Sequence, residues 1–218
     1  MVVATVAGVH SFGRIARGAE KPGKSDDEIS PVEDLMREHA VLARALLIYD
    51  EIVRRIEGGK EFPPDALTGT ARLIQRFVEN YHEKLEEDHL FPRFEKAGKL
   101  VDLVKMLLEQ HRAGRRLTAQ ILVFPLKSLT LEEGSRLQVY LRAFCRMYRP
   151  HKAREDTVLF PAFRTIVSPK EFDSLGERFE DKELELFGEG GFEKIVDELA
   201  GLEKRLGIFE LSQFTPKL

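Results

Sequence analysis

Two stretches of this chain carry the same chemistry in the same order. His82-Glu83-Lys84-Leu85-Glu86 runs on to Leu90-Phe91-Pro92, and His151-Lys152-Ala153-Arg154-Glu155 runs on to Leu159-Phe160-Pro161. In each copy a histidine and a glutamate stand four residues apart, and Phe-Pro follows the glutamate at the same distance. A single histidine precedes each copy, His39 the first and His111 the second. On a helix, positions i and i+4 share a face, so each pair aims an imidazole and a carboxylate at one point. Four helices bringing these groups together would build a carboxylate-bridged two-metal site from His39, His82, Glu86, His111, His151 and Glu155.

The elements that must position them are well marked. Ser30-Pro31-Val32-Glu33 and Ser168-Pro169-Lys170-Glu171 each combine an N-cap serine, proline at the first helical position and a capping-box glutamate. Thr130-Leu131-Glu132-Glu133 is a third capping box. Stops fall at Gly58-Gly59, at Pro92 and Gly98, at Pro125, Pro161, Gly188 to Gly191 and Gly207. The signals place helices at about 31–57, 65–91, 99–123 and 131–160, then a fifth at about 169–187 and a sixth at about 192–206. No alternating run is long enough for a strand. The expected fold is all-α: an up-down-up-down antiparallel four-helix bundle over residues 30–165, a flexible tail over 1–29, and C-terminal helices over 166–218 that cover the bundle.

The first four helices carry apolar seams with steps of three and four. Leu35, His39, Leu42, Leu46, Tyr49, Val53 and Ile56 lie on the first, and Val78, His82, Leu85 and His89 on the second. Leu100, Val104, Leu107, His111, Gly114, Thr118 and Ile121 lie on the third, and Leu137, Leu141, Phe144, Tyr148, His151, Glu155 and Val158 on the fourth. Histidine and glutamate thus stand where leucine would otherwise pack. An unpaired buried carboxylate costs several kcal/mol, so a cation is expected to compensate. The positions along the helices put all four histidines in one layer near one end of the bundle.

Imidazole nitrogen with carboxylate oxygen suits iron, manganese or zinc, and two bridging carboxylates favour a pair of irons. Two six-coordinate metals need about twelve donor positions; the side chains and an oxo or hydroxo bridge fill about ten. The open positions point to O2, NO or peroxide, because purely structural sites are closed.

The net charge of −3 leaves no basic stripe for nucleic acid. No apolar run approaches the ~20 residues of a membrane span. Met1 to Phe12 lacks a basic leader, which favours a cytoplasmic protein, or a periplasmic one if a signal is truncated. Cys145, the only cysteine, sits in an apolar stretch and reads as a buried inert thiol.

The order His39, His82-x3-Glu86, His111, His151-x3-Glu155, with the trailing Phe-Pro, resembles the hemerythrin-like (HHE cation-binding) domains over residues 31–165. The resemblance implies a non-haem di-iron centre in which Glu86 and Glu155 bridge and the four histidines are terminal ligands. Oxygen-carrying hemerythrins have a further histidine where this chain has Arg115, and an Asp at the spacing of Asp156; Glu155 fits the HHE pattern better. The ligand set is more similar to di-iron proteins of iron–sulfur cluster repair, whose cysteine-containing N-terminal domain is absent from this sequence. The expected function is binding or sensing of O2 or NO. The alternatives are a di-iron redox enzyme reducing peroxide or NO, and an iron-storage or structural metal protein.

Other residues fit less directly. His89 shares the face of His82 and Glu86 but lies about two turns, ~10.5 Å, from His82, so it is expected beside the site rather than in it. Tyr49, Tyr81 and Tyr148 lie on or beside the seams and are expected to pack in the core. Pro150, just before His151, is expected to kink its helix.

Overall fold

The computed structural model describes residues 29–124 and 129–216, and over them the chain is helical without a strand. The expected flexible tail, including His10, and the stop at Pro125 lie outside the described residues. α1 is Pro31–Glu57, opened by the Ser30/Glu33 capping box. α2 runs over residues 64–97: it begins as Pro64–Leu73, passes through π-helical Ile74–His82 and Glu86–Leu90, and ends as Phe91–Ala97. α3 is Val101–Leu122. α4 runs over residues 131–163, from Leu131–Arg154 through a π-helical Glu155–Leu159 to Phe160–Phe163. α5 is Pro169–Phe187 and α6 is Gly191–Leu206, and a 3-10 turn, Leu211–Phe214, follows.

The apolar seams explain the packing. α1 meets α2 and α4, and α3 meets α2 and α4, so each long helix has two long neighbours around a shared core. Tyr49, Phe77, Phe94, Phe144 and Phe163 fill that core with no exposed surface. The C-terminal helices lie across it: α6 packs on α1 and α2, and α5 on α1 and α6. Arg44 of α1 clasps Glu203 of α6 through two bonds, Nε–Oε1 at 2.8 Å and Nη2–Oε2 at 2.5 Å. Among the described residues no helix is long and apolar enough to cross a membrane.

Two stops read from the sequence do not end their helices. The chain stays helical through Pro92 to Ala97 and through Pro161 to Phe163. A proline brings no N–H, and its ring crowds the carbonyl four residues earlier. Here the turn ahead of each proline widens instead of breaking: the Phe91 N–H donates to the Glu86 carbonyl and the Phe160 N–H to the Glu155 carbonyl, five residues back. The real stop after Pro92 is Gly98, which takes the left-handed conformation at φ 64°. Helix α4 also continues through Pro150.

The wide turns shift the helical phase. Beyond Glu86 the buried residue is Leu90, and beyond Glu155 it is Leu159, not the seam positions His89 and Val158 expected from an unbroken 3.6-residue period. π turns are uncommon and concentrate at functional sites. Among the described residues two of the three begin at the repeated glutamates and the third ends at His82.

Candidate metal centre

The six residues singled out by spacing converge, and all are buried: Glu86, His111 and Glu155 have no exposed surface, and His39, His82 and His151 almost none. α1 supplies His39, α2 His82 and Glu86, α3 His111, and α4 His151 and Glu155. They form two groups. One donor atom each of His39, His82 and Glu86 lies within 4.8 Å of the others, and so does one each of His111, His151 and Glu155.

The glutamates join the groups. Glu155 Oε2 lies 3.1 Å from His151 Nε2 and 3.3 Å from His39 Nε2. Glu86 Oε2 lies 3.9 Å from His82 Nε2 and 3.4 Å from His111 Nε2. Each carboxylate therefore faces one histidine of each group.

The outer edge of every imidazole is engaged. His39 Nδ1 lies 2.6 Å from Asp156 Oδ1, and His82 Nδ1 2.6 Å from Glu38 Oε2. His111 Nδ1 lies 3.1 Å from Glu87 Oε1, and His151 Nδ1 2.9 Å from Gln110 Oε1. Four oxygen acceptors at Nδ1 hold a proton there and turn the four Nε2 atoms inward, where each neutral ring presents a lone pair.

Those lone pairs and the carboxylates form an unsatisfied polar pit. No oxygen of Glu86 or Glu155 accepts a hydrogen bond. His111 Nε2 and His151 Nε2 face each other at 3.2 Å. Buried polar atoms without partners are rare, and two facing lone pairs need a proton or a cation between them. The donor set, nitrogen and oxygen with no sulfur, fits iron, manganese or zinc.

Burial and close charges push the protonation of these groups in opposite directions. Burial pushes His39 down, but the oxygens of Asp156 and Glu155 outweigh it and raise the imidazole to about 9. Burial, and then the charge on His39, hold His82 well below its ordinary value. Burial also lowers His111 to about 4, against the pull of Glu87. Burial and the neighbouring Glu155 drive Glu86 well above the usual carboxylate range. For Glu155 burial acts upward, but His151 and His39 outweigh it and hold the group well below that range.

The repeated Phe-Pro has a second role. Phe160 stacks on His39 with ring centroids 5.5 Å apart at 19°, and Phe91 stacks on His111 at 5.5 Å and 23°. Each copy of the motif thus covers the single histidine that belongs to the other. Their identical placement after Glu86 and Glu155 was the available signal. Glu38, Glu87 and Gln110 had no such signal, since they look like ordinary charged or polar helix residues.

The remaining expectations resolve individually. Asp156 sits on the outer edge of His39 instead of replacing Glu155. Arg115 bridges Glu83 and Glu87, its Nη2 at 2.7 Å from each. His89 is turned out by the wide turn and lies against Phe179, centroids 5.6 Å apart. Tyr49 packs edge-on to Phe144, and Tyr81 lies among Phe77 and Phe187. Tyr148 lies edge-on to His151 at 5.3 Å and donates its hydroxyl hydrogen to Glu83 Oε1 at 2.6 Å. Gly114 makes that bond possible, because a Cβ there would stand 1.9 Å from the hydroxyl. The Cys145 thiol is buried, faces the Leu46 carbonyl at 3.7 Å and is pushed up to about 12 by burial, as an inert thiol should be.

The comparisons with known proteins agree with this geometry. Uncharacterized proteins of Mycobacterium tuberculosis (strain ATCC 25618 / H37Rv) and Mycobacterium bovis are each 44% identical to the chain over 225 residues, covering 99% of it and 88% of their own length. No solved structure matches. The family model for the hemerythrin HHE cation binding domain matches residues 30–163, the segment that carries all six converging side chains, and the chain belongs to that family.

Proposed function

We propose that the chain holds two iron ions, one at His39 and His82 and one at His111 and His151, with Glu86 and Glu155 shared between them, and that it binds or senses O2 or NO there. The ring of contacts among α1 to α4 is read as the antiparallel up-down-up-down bundle that such a centre requires. One observation carries the proposal: four buried carboxylate oxygens without a hydrogen bond face imidazoles whose Nδ1 atoms are all engaged. An iron pair in that pit would supply redox-active coordination of a diatomic ligand.

The protein's own groups prepare the site. Asp156, Glu38, Glu87 and Gln110 fix the tautomer and aim of the four rings. Phe91 and Phe160 wall the pit with aromatic surface and keep bulk water from the single histidines. Tyr148 and Arg115 hold Glu83, on the turn that carries His82, in one place.

A redox-enzyme reading, peroxide or NO reduction, draws on Tyr148, whose ring touches His151 while its hydroxyl is tied into the Glu83–Arg115–Glu87 chain. Anaerobic loading with Fe(II), metal quantification and absorption spectra before and after O2 or NO test the proposal. Two irons per chain with a reversible ligand band support binding or sensing. Two irons with steady-state peroxide or NO consumption, lost in Glu155→Ala, support the enzyme. Fewer than two tightly held metals would overturn both.

A further inference from the structure

A second acidic group lies outside the six-residue pit. Asp34 and Glu38 of α1 and Glu183 of α5 each place one oxygen within 4.8 Å of the others. Asp34 and Glu38 are buried, and Glu183 is partly so. Glu38 is committed on one side only: Oε2 meets His82 Nδ1, while Oε1 is buried and accepts no hydrogen bond. Tyr81, 1% exposed, buries its hydroxyl beside the Glu38 carboxylate.

The group is built rather than incidental. Glu183 Oε1 is fixed by the Phe192 N–H, 2.8 Å away, at the start of α6. Gly191 leaves room for it, since a Cβ at that position would lie 2.8 Å from the same oxygen. Among the described residues the cation in contact is Arg37, whose Nη1 meets Asp34 Oδ1 at 3.1 Å while its guanidinium is drawn over the Phe192 ring, 4.3 Å from the centroid. Three carboxylates against one guanidinium leave a formal charge deficit that a divalent ion would match. Burial, then Glu38, with Glu183 also contributing, raise Asp34 to about 7, as expected where the charge is not met.

The contrast within the molecule is direct. Glu83 and Glu87 form a similar acidic group with His111, but Arg115 already lies 2.7 Å from both carboxylates. No guanidinium spans Asp34, Glu38 and Glu183 in that way among the described residues. We propose that Asp34, Glu38 and Glu183, with the Tyr81 hydroxyl, form a separate oxygen-only site for a hard divalent cation of the Mg2+, Mn2+ or Ca2+ class. Carboxylates and a phenol without nitrogen or sulfur select hard ions over the softer metals. Sharing Glu38 with His82 places this ion beside the two-metal pit but makes it a third, distinct occupant.

The test uses the full chain already loaded with its tightly held metals. Mn2+ is added and followed by paramagnetic resonance, and Tb3+ by luminescence excited through tyrosine, with Tyr81 as the antenna. One further ion per chain is expected. Its affinity should fall at least tenfold in Asp34→Asn and in Glu183→Gln, a change that keeps an oxygen for the Phe192 N–H. Both variants should retain the two-metal count and the melting temperature of the parent. No further ion, or a further ion unaffected by both variants, would overturn the proposal. The Glu155→Ala chain separates the two sites: loss of the pair with retention of the Mn2+ or Tb3+ signal supports a distinct site, whereas loss of both overturns it. If the parent fails to bind the pair but takes up this ion, the two-metal reading falls and the new site stands.

Discussion

The two halves of the centre repeat a motif but not its surroundings. His39 and His82 are both backed by full carboxylates at short range, Asp156 and Glu38, each at 2.6 Å. His111 is backed by Glu87 at 3.1 Å, whose charge is already shared with Arg115 and Lys84. His151 is backed by an uncharged amide, Gln110, which also lines a surface pocket with Met106, Arg112 and Arg116. A carboxylate behind an imidazole raises its basicity and tightens its hold on a metal. The repeated motif therefore sets which atoms face the pit, while residues outside it differ between the halves and are expected to make the His39–His82 half hold a metal more tightly than the His111–His151 half.

The largest effect should come from the group that both halves share. Glu155 Oε2 reaches His39 and His151 alike. Glu155→Ala is expected to lower the bound metal from two to none held tightly, measured by metal analysis after desalting. A variant that keeps one tight metal would show that the halves are independent and that the shared carboxylate is not a bridge.

Changing the backing residues should alter one half at a time. Glu38→Gln, which leaves a neutral acceptor behind His82, is expected to weaken the tighter metal about 10–100-fold. Gln110→Glu should act in the opposite direction at the weaker one and narrow the gap between the two affinities. Competition titration against a chelator reads both. Equal affinities in the parent chain would break the comparison at its root.

The two single histidines, His39 and His111, should also respond to opposite ends of the pH scale in the metal-free protein. His39, raised to about 9, is favoured as the cation in the folded state. Its stabilisation is fully present below its unfolded value, about 6.5, and is lost as pH climbs to about 9. His111, lowered to about 4, is favoured neutral, so its contribution is present above about 6.5 and lost as pH falls toward 4. The apo melting temperature should therefore peak near neutrality and fall on both sides. Metal on Nε2 removes the alkaline limb, because His39 is then a neutral imidazole that keeps its Nδ1 proton and has no second proton to lose. For the same reason, metal uptake by the first half should strengthen up to about tenfold per pH unit below pH 9, with proton release.

Much of this was legible before any coordinates. Helix-periodic spacing located all six facing residues, since i and i+4 must share a face and the caps at Ser30, Thr130 and Ser168 mark where helices begin. What the spacing missed came from a period that changes within a helix. Pro92 and Pro161 read as stops, yet each widens the preceding turn, which carries His89 and Val158 off the seam and puts Leu90 and Leu159 on it. The backing residues were illegible for a different reason. Glu38 and Glu87 look like solvated charges in a sequence that is 33% charged, and only the packing of α1 and α3 against α2 reveals that each sits against a histidine.

The smallest expected difference concerns the two aromatic covers. Phe160 lies over His39 and Phe91 over His111 in nearly the same geometry, so removing either ring loses similar apolar contact. The difference lies in the imidazole beneath. At neutral pH the metal-free His39 holds its proton and His111 does not, so only Phe160 faces a cation. A cation over an aromatic face gains about 0.5–2 kcal/mol, more when desolvated. Phe160→Leu should thus destabilise the apo protein more than Phe91→Leu, by about 1 kcal/mol in denaturant titrations at pH 7. The gap should close above pH 9, where His39 becomes neutral, and again on metal loading. A gap that persists unchanged at high pH would assign the difference to packing, and the contrast in charge between the two histidines would fall with it.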